Sequence, residues 1–418
     1  MIMKDFVKEK GVFKGGNLNI VLFCIGKFIS VFGTAIYTFA MGIYILRITG
    51  SAMGFATNLI LSTIPMLIIA PFGGVLADRV NKKKLVVAMD FINGLFLIII
   101  YFIAKTKGLS IPIIYLSTIV ITSLTTIFDL SIESSKPDLV SESKIVTINS
   151  ISKIIDSLSS VLGPVIGGVV FALIDIKLFI LINGLSFIIS AIIERFMDFN
   201  YNKKEILIIE RATYLGEFKE GITYILSKKN ITKLLSIFIL YNIFISFSIT
   251  IPLPYILNNI LEVTPTSYGI VEGALPIGMV IGSLCVKKIM AKINSEKIFV
   301  VTGIVLSILM CTMSSPIILL KFNINSEIYI FMFLSIIFIL GICFAVVDVP
   351  FLCIMQTEIE EKYRARSLSV VICMIKICVP ISFAFSGLCI ELISPFFICL
   401  IGGIITFVGS IIFKKHIL

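Results

Sequence analysis

The sequence contains no tryptophan and only one histidine, His416, among its 418 residues. Hydrolases of the Ser–His type need a histidine base, and histidine is the commonest metal ligand, so Ser–His catalysis and histidine metal clusters are both excluded. Because tryptophan is missing, any aromatic belt at a membrane surface has to be built from tyrosine and phenylalanine.

Two other patterns are missing as well. The sequence has no Gly-x-x-x-x-Gly-Lys-Ser/Thr loop, so we do not expect this chain to use ATP by itself. The nine cysteines lie within apolar runs and show no Cys-x-x-Cys spacing, which predicts small buried side chains rather than disulfides or metal ligands. These absences predict a protein that is not an enzyme and holds neither a cofactor nor a metal.

Charged residues are scarce at 14%, whereas hydrophobic residues make up 58% and the mean hydropathy is +1.10. A soluble domain could not bury so much apolar surface, so we predict an all-α integral membrane protein. At about 35 residues for each span and its loop, the chain has room for about twelve membrane helices. The apolar runs place these spans near residues 19–45, 52–77, 84–104, 111–135, 146–172, 177–194, 234–260, 266–290, 297–320, 327–354, 365–389 and 393–413.

The net charge is +10, and most of the 35 lysines and arginines fall in loops that a twelve-span topology places on one side. Because these cations are spread over several loops, they indicate membrane orientation and not nucleic-acid binding. Short loops rich in lysine and arginine mark the cytoplasmic side, so we expect a multi-pass protein of the cell membrane with both termini in the cytoplasm. The predicted regions are a six-helix bundle over 1–195, a cytoplasmic middle loop over 196–233 and a second six-helix bundle over 234–418.

The middle loop carries apolar residues at helical spacing from Phe218 to Leu235. This pattern predicts an amphipathic helix on the inner membrane surface, and a plain linker is the alternative.

A hairpin between the second and third spans is rich in cations. It resembles the corresponding hairpin of the major facilitator superfamily of secondary transporters in its order Gly74-x-Leu76-Ala77-Asp78-Arg79, followed by Lys82 and Lys83. The usual glycine of that signature is Asn81 here, and we expect Asn81 to adopt the left-handed turn. The resemblance implies two pseudo-symmetric six-helix bundles, a substrate site between them and a gating hairpin made of Gly74, Asp78, Arg79, Lys82, Lys83 and Asp90.

The fifth predicted span contains Gly163, Pro164, Gly167 and Gly168 in the order Gly-Pro-x-x-Gly-Gly. A proline removes one helix hydrogen bond and glycines admit a neighbouring backbone, so this segment can bend and pack tightly. The order resembles a signature of exporter branches of the superfamily, and ordinary helix packing is the alternative.

Further positions resemble the macrolide and siderophore efflux branch of the superfamily. They are Ser30, Gly33 and Tyr37 in the first span, the run Lys136-Pro137-Asp138-Leu139-Val140, and Asn149. That branch often carries an acidic residue directly after the first-span glycine, where this sequence has Thr34. The resemblance implies export of a small molecule, without a proton-binding role at Thr34.

Ionisable groups inside membrane spans are expensive, so each one is a functional candidate. The predicted spans contain Lys27, Asp90, Asp129, Glu133, Lys153, Asp156, Glu272, Asp348 and Lys376. We expect Glu133 and Lys153 to form pairs or reach the nearby inner face, and the long stem of Lys27 to reach the headgroups. Asp90 is expected to bind to the basic hairpin rather than to a substrate.

Asp129 and Asp348 occupy matching places in the two halves, in the triplets Phe-Asp-Leu and Val-Asp-Val. Each lies about 10 Å inside its span by helix rise, where a short carboxylate cannot reach water. A carboxylate in such surroundings can load and release a proton. Asp129, Asp348, Asp156 and Lys376 are therefore the candidates for proton or substrate coupling, and a fixed ion pair between Lys376 and Asp348 is the alternative.

Together these observations predict a proton-coupled efflux antiporter that moves a lipophilic small molecule by alternating access. Its expected partners are a small-molecule substrate, protons and membrane lipids, and it is expected to act as a monomer. An importer or lipid-moving member of the same fold remains open, as does a membrane receptor or assembly factor without turnover.

Overall fold

The computed structural model describes residues 16–202, 214–316 and 326–417, apart from the side chains of residues 70–79, 214–218, 326, 361, 362, 364–366, 369, 416 and 417. This described part of the chain is helical and contains no strand. Its helices are α1 Asn17–Thr49, α2 Ala52–Arg79, α3 Lys82–Lys107, α4 Ile111–Leu139, α5 Ile145–Leu173, α6 Ile176–Arg195, α7 Tyr214–Ser227, α8 Lys229–Ile245, α9 Pro252–Tyr255, α10 Pro265–Met290, α11 Ser295–Thr312, α12 Ser326–Glu358, α13 Glu361–Leu392 and α14 Pro395–Ile417.

Twelve helical segments in the described ranges are long and apolar enough to cross a membrane, so the predicted number of spans is confirmed. The seventh segment, Lys229–Ile260, is not a regular α-helix throughout. Two π-helical turns, Ser246–Thr250 and Ile256–Ile260, flank the short helix α9, which begins at Pro252. Proline lacks a backbone N–H, which favours a local change of hydrogen-bond register at this place.

The chain divides into two compact units. The first contains Met1–Met41 and Leu61–Ile208, and the second contains Gly42–Ile60 and Ile209–Leu418. Helices α1 and α2 therefore each contribute residues to both units. Within the second unit, Leu46 and Phe55 pack with Ile251 and Phe383 in one buried apolar cluster.

Glycines set the closest helix contacts in the first unit. A Cβ atom added to Gly94 on α3 would lie 2.6 Å from the carbonyl oxygen of Gly184 on α6, so these helices touch through their backbones. Helices α1 and α5 meet in a similar way, because a Cβ at Gly163 would lie 2.7 Å from Ala35 Cβ and a Cβ at Gly167 would lie 2.7 Å from Phe39 Cδ1.

The second unit uses the same device. Gly278 on α10 and Gly341 on α12 each leave no room for a Cβ, because the backbone of the other helix lies against them. Gly403 on α14 likewise lies against α11, where a Cβ would be 2.8 Å from the carbonyl oxygen of Ser307. Small residues thus bring paired helices into backbone contact in both units.

The turn between α2 and α3 differs from the sequence-based expectation. Asn81 has φ −60° and ψ 109°, and its side chain accepts a hydrogen bond from the backbone N–H of Lys84 at 3.2 Å. The expected left-handed conformation was wrong, because Asn81 is the N-cap of α3 and its amide oxygen satisfies an otherwise unpaired N–H of the first turn.

The amphipathic segment of the middle loop forms α7, which ends at Ser227. Lys228 is extended, with φ −100° and ψ 93°, and separates α7 from α8. Within the second unit α7 lies against the start of α13, where the rings of Tyr224 and Tyr363 stack with their centroids 4.5 Å apart. The helical periodicity from Phe218 to Leu235 therefore belongs to two helices.

Candidate functional site

A buried lysine is the centre of a charged network in the first unit. Lys27 on α1 is 4% exposed, and its Nζ lies 3.0 Å from Asp156 Oδ1 and 3.3 Å from Glu133 Oε1. Nζ also donates a hydrogen bond to Ser152 Oγ at 2.5 Å. Ser152 and Asp156 are one turn apart on α5, so both face Lys27. The expectation that Lys27 reaches the headgroups was wrong, because the ammonium is enclosed by these groups.

Glu133 on α4 links this lysine to a second one. Its Oε2 lies 2.5 Å from Lys136 Nζ, and its Oε1 accepts a hydrogen bond from Ser152 at 3.2 Å. Lys136 also donates to Asn149 Oδ1 at 3.2 Å. The carboxylates thus compensate two nearly buried ammonium groups, whose isolated burial would be very unfavourable.

A cavity of about 280 Å³ lies beside this network, within the first unit. Three carboxylates line it, those of Asp90, Asp129 and Asp156, and none of its described lining residues is a lysine or arginine. Asp129 is exposed at the cavity, and the side chain of Asp156 is 39% exposed although it also contacts Lys27. Hydroxyl groups and apolar side chains complete the lining, from Ser30, Val31, Thr34, Ala35, Thr125, Phe128, Ser159 and Ser160.

Asp90 connects the cavity to the interface of α1, α3 and α6. Its Oδ2 accepts a hydrogen bond from Ser30, and Ser30 Oγ lies 2.9 Å from Ser190 Oγ. Ser190 Oγ lies 3.2 Å from Glu194 Oε1 and 3.0 Å from the carbonyl oxygen of Gly26, so its single hydroxyl hydrogen has two alternative acceptors. The sequence placed Asp90 with the hairpin, but it lies about 12 Å along α3 from Lys82 by helix rise.

Asp348, on α12 in the second unit, is half-buried. Among the described residues it has no hydrogen-bond or ion-pair partner, and Lys376 on α13 is exposed and makes no ion pair with it. The fixed ion pair that the sequence left open is therefore not formed. Glu272 on α10 accepts a hydrogen bond from Tyr268 within the same helix.

A comparison with known protein families identifies the family of this chain. Residues 19–416 match the family described as transmembrane secretion effector. The chain belongs to this family of the major facilitator superfamily. The superfamily that the hairpin resemblance indicated is thereby confirmed.

Relatives of this chain include efflux proteins. It is 25% identical to macrolide efflux protein A of Streptococcus pyogenes over 263 residues, which cover 62% of this chain and 64% of the relative. It is 25% identical to macrolide efflux protein A of Enterococcus faecalis over 56% of this chain and 72% of that protein. The match to the Streptococcus pyogenes protein thus spans less than two thirds of its length. A putative bacilysin exporter of Bacillus subtilis is 28% identical over 137 residues, which cover 32% of each chain.

Solved structures confirm the fold of this chain. A bacterial homologue of the iron transporter ferroportin superposes with a TM-score of 0.70 over 94% of this chain and 98% of that one, at 16% identity. The nucleoside transporter NupG superposes with a TM-score of 0.73 over 96% and 98% of the two chains, at 12% identity. The predicted twelve-helix major facilitator fold is confirmed. The family match over residues 19–416 also confirms the predictions of a multi-pass membrane protein and of a chain that is not an enzyme.

Part of the predicted gating hairpin is anchored within the first unit. Lys82 Nζ lies 2.9 Å from Asp138 Oδ2 and donates to the carbonyl oxygen of Ser134 at 2.8 Å. Lys83 donates to the carbonyl oxygen of Met197 at 2.7 Å, just beyond α6. The surroundings of Gly74 and the side chains of Asp78 and Arg79 lie outside what the structure describes.

Several positions that resemble the efflux branch make polar contacts within the first unit. Lys136 contacts Asn149, Ser30 contacts Asp90, and Tyr37 Oη lies 2.7 Å from Ser117 Oγ. Sequence reasoning missed Ser152, Ser190 and Glu194. The spacing of Ser190 and Glu194, one turn apart at the end of the sixth span, was the available signal.

Proposed function

We propose that this transporter is a proton-coupled exporter, an antiporter that moves a lipophilic small molecule carrying a cationic group by alternating access. The observation that carries the proposal is the cavity of the first unit, where Asp90, Asp129 and Asp156 line one space without a lining cation. The names of the macrolide efflux relatives support the direction of transport.

The excess of negative charge supplies a physical reason for exchange. Carboxylates in a space partly shielded from water favour a neutralising partner, which is either a proton or the cationic group of a bound molecule. A proton and a cationic substrate compete for the same carboxylate, so release of one accompanies binding of the other. The apolar residues Val31, Ala35 and Phe128 provide surface for the lipophilic part of the substrate.

Asp156 ties this exchange to the helix packing. Its carboxylate contacts Lys27 and also lines the cavity. A proton or a cationic substrate on Asp156 therefore weakens the Lys27–Asp156 ion pair. Lys27 then keeps Glu133 as its remaining carboxylate partner. Loading of the cavity thereby changes how α1 is held against α4 and α5.

Asp348 is the proposed second coupling group, because it is half-buried and has no partner among the described residues. Lys376 is proposed to contribute charge in the same unit. We further propose that the transporter works as a monomer in the cell membrane with both termini in the cytoplasm, and that its working halves are 1–195 and 234–418, joined by 196–233.

Transport into inside-out vesicles tests the function, with radiolabelled erythromycin as the probe. Acidification of the lumen should drive accumulation of the probe, because protons leaving the lumen are exchanged for substrate. Asp129→Asn should lower this accumulation at least about tenfold, because asparagine cannot carry a proton. Substrate counterflow without a pH gradient should persist, since Asp90 and Asp156 remain to bind the cationic group.

The matched control for this experiment is Asp175→Asn. Asp175 caps the exposed start of α6, and asparagine serves equally well as an N-cap, so this variant should behave as the wild type. If accumulation of the probe by the wild type does not depend on the pH of the lumen, proton antiport is contradicted. Probe movement only in the opposite direction would indicate an importer.

A further inference from the structure

A continuous hydrogen-bonded chain crosses the interface of α1, α3 and α6. It runs from Asp90 through Ser30 and Ser190 to Glu194, with 2.9 Å between the two serine hydroxyls and 3.2 Å between Ser190 Oγ and Glu194 Oε1. Asp90 is on α3 and Ser30 is on α1, and the last two members are both on α6. No link in it depends on a backbone group.

The chain is buried along its whole length. Asp90 and Ser190 are 0% exposed, Glu194 is 1% exposed and Ser30 is 3% exposed. Asp90 Oδ1 and Glu194 Oε2 are also buried and have no hydrogen-bond partner among the described residues. Neither carboxyl group forms an ion pair in the described part of the chain. Two ionised carboxylates joined through only two hydroxyl groups, without a cation, would be very unfavourable, which favours a proton on one of them.

The two ends of the chain lie at different places in the unit. Asp90 lines the cavity together with Asp129 and Asp156, which approach from α4 and α5. Glu194 is the penultimate residue of α6, at the end that the loop charges assign to the cytoplasm. The nearest buried cation on α1 is Lys27, which is occupied by Glu133 and Asp156. Arg195, next to Glu194, is exposed.

We propose that Asp90, Ser30, Ser190 and Glu194 form a proton relay between the cavity and the predicted cytoplasmic end of α6. This inference rests on the proposed proton coupling and deepens it by naming the path. Before a transfer, protonated Asp90 donates a hydrogen bond to Ser30, Ser30 donates to Ser190, and Ser190 donates to Glu194 Oε1. In the transfer each hydrogen moves to its acceptor, so that afterwards the three hydrogen bonds are reversed and Ser30 donates to Asp90 Oδ2. One proton moves from Asp90 to Glu194, and each serine keeps one hydrogen.

The relay also explains the small residue opposite Glu194. A Cβ atom added to Gly26 on α1 would lie 3.1 Å from Glu194 Cγ and 3.3 Å from Glu194 Oε1. Glycine at this position lets the carboxyl group of Glu194 lie against the α1 backbone. The carbonyl oxygen of Gly26 is then a second acceptor, to which the Ser190 hydroxyl can donate between transfers.

Serine variants test the path by proton flux. In proteoliposomes of the full chain, proton movement coupled to erythromycin exchange should fall at least about tenfold in Ser190→Ala and in Ser30→Ala. Ser190→Thr keeps a hydroxyl group and should retain at least about half of the wild-type rate. The matched control is Ser131→Ala, because Ser131 is equally buried but donates only to Ile127 of its own helix. Equal proton flux in Ser190→Ala and Ser131→Ala would overturn the relay.

A second measurement separates the relay from the proposed function. In an infrared pH titration of the purified full chain, a protonated carboxyl band should be lost both in Asp90→Asn and in Glu194→Gln, because the two groups share a proton. If wild-type protein moves no protons with erythromycin, the antiport proposal fails, and the shared band still decides whether the two carboxyls exchange a proton. A carboxyl band unchanged in both variants would overturn the relay whatever the flux.

Discussion

In the first unit, lysines and carboxylates contact one another inside the bundle, whereas in the second unit hydroxyl groups make most of the buried polar contacts described. Tyr241, for example, donates to the carbonyl oxygen of Phe299 at 2.9 Å, and Ser248 donates to that of Ile398 at 3.1 Å. Both units nevertheless pack paired helices through glycines. Because a charged side chain inside a membrane is costly and usually marks a functional site, we infer that ion chemistry is concentrated in the first unit.

The largest expected effect comes from removing the central cation of the first unit. Lys27→Met leaves Asp156 and Glu133 without their shared partner and should abolish transport. The free energy of unfolding should fall by about 2 kcal/mol, below the roughly 3–5 kcal/mol of a fully buried pair, because these carboxylates are 39% and 48% exposed. Thermal unfolding of the purified protein measures the change.

The control for Lys27→Met is Lys153→Met, which removes an exposed lysine from α5 in the same unit. It should leave both transport and the unfolding midpoint unchanged. If both lysine variants behave alike, the charged network of the first unit has no special role and the contrast between the units is lost.

Asp348→Asn sharpens the contrast from the other side. If ion chemistry is concentrated in the first unit, this variant should lower pH-driven accumulation of erythromycin by about threefold to tenfold relative to the wild type. This loss is smaller than the one expected for Asp129→Asn. The measurement is uptake into inside-out vesicles at several lumen pH values. Lys376→Met is the companion variant and should change uptake only slightly, since Lys376 is exposed. An Asp348→Asn effect as large as that of Asp129→Asn would show that both units carry coupling.

The sequence predicted the spans well and the network poorly, for one physical reason. Hydropathy reports how much of a segment must leave water, so twelve spans could be counted from composition alone. The contacts of Lys27 with Glu133 and Asp156 join residues 106 and 129 positions apart, and they depend on how each helix is rotated in the bundle. No periodicity within one span encodes that rotation.

Asn81 shows the same limit at a smaller scale. Asparagine favours both left-handed turns and N-caps, and only the start of α3 at Lys82 decides between them. The predicted sixth span ends at Glu194, and the sequence assigned no role to this residue. Its burial depends on Gly26 of α1, more than a hundred residues away in the sequence.

Helix packing should respond alike in the two units, in contrast to charge. Gly94→Ala in the first unit and Gly341→Ala in the second each place a methyl group against a neighbouring backbone, which cannot move aside as a side chain can. Each should lower the free energy of unfolding by about 1–3 kcal/mol. Gly409→Ala is the control, because its methyl group would meet the flexible side chain of Leu240 at 3.1 Å. If only one of the two variants Gly94→Ala and Gly341→Ala lowers the thermal unfolding midpoint, the two units do not share this way of packing helices.

The smallest effect is expected at the surface of the second unit, where Lys228 Nζ lies 3.3 Å from Glu360 Oε1. The hydrogen bond to Glu360 raises the pKa of Lys228, so any stabilisation is present below the ordinary lysine pKa and is lost as the pH rises through the raised value. Both side chains are largely exposed and screened by salt, so Glu360→Gln should not shift the unfolding midpoint measurably at physiological ionic strength. A clear shift at neutral pH that persists in high salt would mean that the docking of α7 on α13 depends on this pair, and that the second unit also relies on charge.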